Sequence, residues 1–155
     1  MTAHERAGGF TIVELVVVMV IIGALAALGI PRLVGDKSSE AAVFGDQVAS
    51  GLRRAQKIAM GHRRVVCATV GPKAVVLRVN DCGTAGIALN GSSDDDYATS
   101  DSVLTVTQTT LYFQPDGRVT QDAAGASAWS GDIVIAAGTT NFRTITVRGT
   151  TGYVE

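Results

Sequence analysis

Residues 8–15 read GGFTIVEL, and an apolar run follows that contains no further charge until Arg32. Glu14 therefore stands as a lone carboxylate at the start of a segment of membrane-spanning length. A charged side chain at the centre of a membrane helix costs about 2.5–3.5 kcal/mol on insertion scales. We expect such a carboxylate to be kept only where a positively charged partner compensates it.

Residues 10–31 have the composition and length of a transmembrane helix. These 22 residues would extend about 33 Å as a helix, against a hydrocarbon core of about 30 Å. Val and Ile form helices poorly in water, but in lipid the backbone must satisfy its own hydrogen bonds, which favours a helix. Pro31 lacks an amide donor, so we expect it to loosen the helix or to mark the end of the span.

A second, amphipathic helix is predicted over residues 39–62. Its apolar residues recur at three- and four-residue steps and should pack on a globular domain. They are Phe44, Val48, Leu52, Ala55, Ile58 and Ala59. Gly61 is the predicted stop of this helix.

From Arg64 onward the pattern changes to short β-type runs separated by turn signals. Residues 64–70 and 74–80 flank a predicted hairpin turn, and a polar loop follows over residues 81–101. Later strand candidates are residues 103–106, 110–114, 118–120, 132–137, 143–148 and 153–154. The sequence therefore predicts an α+β fold, with a long N-terminal helix and a C-terminal antiparallel β-sheet domain.

Neither the overall charge nor the motifs of the chain point to nucleic-acid binding or catalysis. The chain has 155 residues and a formal net charge of −1, so its overall charge does not point to nucleic acid or to an acidic partner. No nucleophile, general base or set of metal ligands stands at a spacing typical of an active site. We therefore expect a protein that is not an enzyme and that holds no metal or cofactor.

The stretch at residues 8–15 resembles the processing and assembly signal of type IV pilins and type II secretion pseudopilins. The resemblance implies that a prepilin peptidase cuts between Gly9 and Phe10 and that Phe10 is then N-methylated. Glu14 becomes the fifth mature residue, where the family pairs a glutamate with the N-terminal amine of a neighbouring subunit. Pro31 matches a position where many pilins carry proline. The alternative is a plain signal anchor in which Glu14 is incidental.

Three later segments look like parts of the GspH/FimT group of minor subunits. They read LRRAQKIAMGHRRVVC at residues 52–67, YFQPDGR at residues 112–118 and RTITVRGTTG at residues 143–152. The resemblance implies a minor pilin or pseudopilin that supports protein secretion or pilus biogenesis. Its expected partners are other pilin subunits, the prepilin peptidase and the inner membrane.

The same resemblance divides the chain into four parts. Residues 1–9 would be a cleaved leader, and residues 10–31 a transmembrane and filament-core helix. Residues 32–63 would continue that helix in amphipathic form, and residues 64–155 would form a periplasmic β-rich domain. The protein would cross the bacterial inner membrane once before entering a filament.

Cys67 and Cys82 would then lie in an oxidising compartment, where an even pair of cysteines indicates a disulfide. Members of the group often carry a comparable early pair. The alternative is one buried and one exposed thiol.

A DNA-binding minor pilin for natural transformation is the alternative function. Some FimT-type subunits bind DNA through arginines in a Gly-Arg-x-Arg motif near the C-terminus. Residues 152–155 read GYVE and lack both arginines, so DNA binding is not favoured. The remaining candidates are Arg118, Arg143 and Arg148.

Asp94, Asp95, Asp96 and Asp101 form an acidic loop. Major pseudopilins bind calcium in a loop, but this spacing does not match a known calcium loop. We expect a solvated loop, and calcium binding by residues 94–96 stays open.

Overall fold

The computed structural model describes residues 11–34, 37–83, 86–89 and 97–155, with the backbone alone for residues 28–34. The chain divides into two compact units, Met1–Asp36 and Lys37–Glu155. The predicted cleavage site at Gly9 and Phe10 lies outside the described residues.

Helix α1 spans Ile12–Val34. It passes through Pro31, which was predicted to loosen the helix or to mark the end of a span. The large apolar side chains between Ile12 and Leu25 are 46–82% exposed. Within the described residues, no helix is both long enough and apolar enough to cross a membrane. The membrane location of residues 10–31 stays a prediction.

Helix α2 spans Lys37–His62 and begins two residues before the predicted start. The predicted apolar stripe is confirmed, because five of its six members are buried and Ile58 packs against the core. The helix ends at His62, as the predicted range 39–62 has it and one residue beyond the stop signal at Gly61. Arg63, the next residue, takes the left-handed conformation with a φ of 52°. A cation is electrostatically favourable at this helix end, which offsets part of the conformational cost.

The described residues contain nine strands after α2. They are β1 Val66–Val70, β2 Val75–Val79, β3 Ile87–Ala88, β4 Leu104–Val106, β5 Thr109–Phe113, β6 Val119–Thr120, β7 Gly131–Ala137, β8 Thr140–Arg148 and β9 Tyr153–Val154. The predicted hairpin corresponds to β1 and β2, which pair antiparallel from Val66 opposite Val79 to Val70 opposite Val75. Strand β3 lies in the region predicted to be a loop.

The strands form two antiparallel sheets instead of the single predicted sheet. Sheet 1 has the order β3-β2-β1-β5-β6, and sheet 2 has the order β4-β7-β8-β9. Alternation along a strand shows which residues face inward, but it does not show which strand lies beside it. The α+β class is confirmed, while the division into two sheets was not visible in the sequence.

Helix α2 packs on both sheets and closes the core of the second unit. The largest fully buried side chains come from α2 and from both sheets: Phe44, Leu52, Leu104, Leu111, Phe113, Ile133, Ile135 and Ile145. Two glycines of α2 make room for side chains that pack against the helix. A Cβ on Gly51 would lie 3.2 Å from the Tyr97 ring, and one on Gly45 would lie 2.8 Å from Cγ of Arg143.

Cys67 and Cys82 form the predicted disulfide, with their Cα atoms 5.2 Å apart. Cys67 is fully buried in β1, and the bridge joins this central strand to the segment that follows β2. The bond therefore fixes the start of the connection that leads to β3.

Replacing both cysteines by alanine should destabilise the protein by about 3 kcal/mol, because the bridge closes a loop of 15 residues whose closure entropy is then lost. For a unit of this size we expect the melting temperature to fall by roughly 10 °C. The measurement is a thermal melt of the full chain in detergent. Wild-type protein reduced with dithiothreitol is the control and should melt close to the double variant; an unchanged melting temperature in both would contradict the prediction.

Candidate functional site

Three segments quoted from the sequence, residues 52–67, 112–118 and 143–152, meet at one place, which we call the C-terminal junction (Arg53, Gln56, Gly117, Thr151–Val154). The side-chain amide of Gln56 donates to the carbonyl of Gly117 at 3.2 Å and to that of Thr151 at 3.3 Å. One side chain of α2 thereby holds the β5–β6 turn and the β8–β9 turn together.

The backbone packs closely within the C-terminal junction. Gly152 has a φ of 67°, and a Cβ there would overlap the carbonyl oxygen of Gly117 and the amide of Gln56. The guanidinium of Arg53 donates to the carbonyl of Val154 at 3.2 Å from Nε and 3.0 Å from the terminal nitrogen. These contacts fix the last strand on α2, so the surface around it has a defined shape.

Glu14 occupies the third position of α1, counted from its cap. Thr11 caps the helix, because its hydroxyl accepts the N–H of Glu14 at 3.2 Å and its carbonyl accepts the N–H of Leu15 at 3.1 Å. A threonine followed three residues later by glutamate is the pattern of a capping box. The negative charge of Glu14 also complements the positive end of the helix dipole. This helix-starting role was missed, although the sequence shows the pattern.

Two of the three arginines proposed as nucleic-acid candidates, Arg143 and Arg148, lie on opposite faces of β8. Arg118 pairs with Asp116 at 2.6 Å, and this hydrogen bond lowers the pKa of the Asp116 carboxyl. Arg143 pairs with Asp46 of α2 at 2.8 Å. Arg148 is exposed five residues after Arg143 on β8, about 17 Å away along an extended strand and on the opposite face. Phosphate contacts need clustered cations.

An ion-pair network at the start of α2 was also missed. The ammonium of Lys37 contacts Glu40 at 3.0 Å and Asp101 at 2.7 Å. The Asp101 carboxylate is 8% exposed and also accepts the N–H of Val103 at 2.7 Å. These contacts tie the loop before β4 to α2. Lys37 and Asp101 are 64 residues apart, so no local sequence signal reveals the pair.

The pKa of Asp101 lies well below its usual range. The largest cause is a side-chain hydrogen bond with Glu40, followed by those from Lys37 and from the backbone of Val103. The pKa of Lys37 is raised, first by its hydrogen bond to Asp101 and then by that to Glu40. Both shifts favour the charged forms of the pair.

We expect Asp101→Asn to lower the free energy of unfolding at pH 7. A depressed pKa in the folded state stabilises the protein above the unfolded pKa of about 3.9. That contribution is lost as the pH falls from about 4–5 toward the lower folded pKa. Urea unfolding from pH 7 to pH 3 should show the gap between wild type and variant narrowing with acidity; a gap that is constant or widens would contradict this assignment.

The acidic residues 94–96 lie outside the described part of the chain. Among the residues that the structure describes, no group of three or more His, Cys, Asp or Glu side chains is placed to hold a metal ion. Asp101, the fourth member of the predicted acidic loop, binds Lys37 instead.

Comparison with known proteins gives a partial match. No protein-family profile matches the chain, and no solved structure matches it. The chain is similar to the type IV narrow pilus major component PilA5 of Thermus thermophilus, with 46% identity over 56 residues. The match covers 35% of this chain and 47% of the relative, so the chain spans about half the length of the relative it matches. The similarity is therefore to a type IV pilin over about a third of this chain.

Proposed function

We propose that this chain is a minor subunit of a type IV filament machine, of the GspH/FimT type, that assembles through α1. It would be made as an inner-membrane precursor, cut before Phe10 and methylated there. Its second unit, Lys37–Glu155, would then face the periplasm and meet other subunits or cargo.

The observation that carries the proposal is the exposed apolar surface of α1. From Ile12 to Leu25 every large apolar side chain is at least 46% exposed, and Glu14 is the lone charged residue among them. A helix that is apolar on all sides is stable only in lipid or inside a bundle of helices. A filament core of packed helices supplies such a bundle.

Glu14 supports the same proposal, because burying its carboxylate without a partner is energetically unfavourable. A carboxylate in an apolar bundle needs a positive partner, and breaking a buried pair costs about 3–5 kcal/mol. The N-terminal amine of a neighbouring mature subunit would be such a partner. Glu14 would then have two roles. It would be the glutamate of the capping box at the start of α1, and its negative charge would set the register between subunits.

A DNA-binding role is not included in the proposal. Two of its three candidate arginines form ion pairs with Asp116 and Asp46, and residues 152–155 lack the arginines of the DNA-binding motif.

A clean deletion strain tests the proposal. Secretion of folded enzymes, surface piliation and DNA uptake should be scored together, with the wild-type gene restored as control. Loss of secretion alone would place the protein in a pseudopilus, and loss of piliation would place it in a pilus. Loss of DNA uptake with normal secretion and piliation would favour the DNA-binding alternative, and no loss of any of them would contradict the proposal.

Gly9→Ser should block processing, because the resemblance puts the peptidase cut directly after Gly9. We expect the precursor to accumulate in the membrane fraction at full length, with mature protein reduced at least about tenfold. Gly8→Ser is the matched control and should be processed normally. Immunoblotting separates the two forms; a mature-sized product from Gly9→Ser would refute the assigned cut.

A further inference from the structure

A groove of about 460 Å³ lies between the end of α2 and the β2–β3 edge of sheet 1. Its floor is apolar and is formed by Ile58, Val79 and Leu89, with Ile87 at the rim. Leu89 is buried, whereas Ile87 is 58% exposed. The groove therefore has an apolar surface on which a side chain of another molecule can pack.

The polar part of the groove is basic. His62 and Arg64 are exposed and line it together with the apolar residues. Among the residues that the structure describes, none that lines the groove is acidic. The left-handed backbone of Arg63 ends α2 between these two side chains, so the basic end of the helix lies beside the apolar floor.

The groove is held in shape by strand pairing along its wall and by contacts next to it. Strand β3 pairs with β2 through Val79 opposite Ile87 and Arg78 opposite Ala88. The disulfide from Cys67 to Cys82 anchors the connection that leads to β3. Arg78 also donates to the carbonyl of Gly86 at 3.3 Å. Strand β3, which forms one wall of the groove, is therefore held in place by contacts within the protein itself.

The chemistry of the groove selects among possible occupants. The planar guanidinium of Arg64 suits a carboxylate, with which arginine forms paired hydrogen bonds. Single-stranded nucleic acid would need a platform of aromatic side chains, and none of the described residues that line this groove is aromatic. An anionic membrane gains only about 1 kcal/mol per basic residue near its surface, so it would require more than one permanent cation.

We propose that this groove docks an acidic peptide segment of a partner protein, with an apolar side chain on the floor and a carboxylate on Arg64. The volume is within the usual range for ligand pockets, about 300–1,000 Å³, and accommodates one or two side chains. The docking surface lies wholly in the unit Lys37–Glu155 and does not depend on whether α1 enters a filament.

Photo-crosslinking in the organism that makes the protein tests this inference. A benzoylphenylalanine replaces Ile87 in the full chain, and mass spectrometry identifies the crosslinked product after irradiation. The same probe at Thr144, an exposed position on β8, is the control. We expect a peptide that carries an aspartate or glutamate within a few residues of the crosslink.

Charge reversal makes the test specific. Arg64→Glu should lower the crosslink yield at least about tenfold, whereas Arg148→Glu, the same change at another exposed arginine, should leave it unchanged. Replacing the partner's carboxylate by lysine should restore the yield with Arg64→Glu. Thermal melts establish that both variants fold. A lipid product, a partner segment without a carboxylate, equal losses in both variants, or no product above that from Thr144 would overturn the inference.

Discussion

Glu14→Val is expected to leave membrane insertion intact and to reduce incorporation into filaments about a hundredfold. Valine lowers the cost of inserting α1 into lipid, because it removes the one charge between Phe10 and Pro31. In a filament, however, the amine of the neighbouring subunit would lose its partner. Breaking a buried pair costs about 3 kcal/mol or more, and each 1.4 kcal/mol is a factor of ten. Immunoblots of sheared filaments and of membranes measure the ratio.

Two further variants separate pairing from helix capping. Glutamine at position 14 can still take the third position of a capping box, but it carries no charge. Glu14→Gln should therefore fail about as severely as Glu14→Val, whereas Thr11→Ala removes the cap and should reduce incorporation only slightly. If Glu14→Gln assembles normally, Glu14 acts as a helix cap and the pairing role is wrong.

Gly152→Ala is expected to destabilise the second unit by about 4 kcal/mol. Its φ of 67° is costly for alanine, by about 1–2 kcal/mol. A Cβ there would also overlap the carbonyl of Gly117 and the amide of Gln56, and such overpacking typically adds about 1–3 kcal/mol. The variant would loosen the last strand from α2, and urea unfolding of the full chain in detergent measures the loss.

Gly138→Ala is the matched control for this prediction. Gly138 has a similar φ of 59°, but no atom lies within 4 Å of a Cβ placed there. Its substitution should therefore cost only the backbone strain of about 1–2 kcal/mol. The difference between the two variants isolates the packing of the C-terminal junction. Equal losses at both positions would mean that the close approach of Gly152 to Gly117 does not matter.

The features predicted correctly from the sequence are those that depend on neighbouring residues. The stripe from Phe44 to Ala59 identified the buried face of α2, because burial on one helix face repeats at three- and four-residue steps. The β1–β2 hairpin was equally local, with its turn signal between two short strands. The disulfide could be predicted because the chain has two cysteines and was expected to lie in an oxidising compartment.

The features that were not predicted depend on contacts between residues far apart in the sequence. The division into two sheets follows from which strands pair, which alternation does not encode. Lys37 and Asp101 meet across 64 positions, and Arg143 of β8 pairs with Asp46 of α2. The predicted end of α2 at His62 agrees with the structure, but the left-handed conformation of Arg63 after it was not predicted.

The most direct test of the proposed assembly is mass spectrometry of the N-terminal peptide in a purified, sheared filament fraction. The account predicts that this chain is present there and that its first residue is N-methylated Phe10, with residues 1–9 removed. A chain found only in membranes, with residues 1–9 still attached, would contradict the proposal that it is processed and built into a filament.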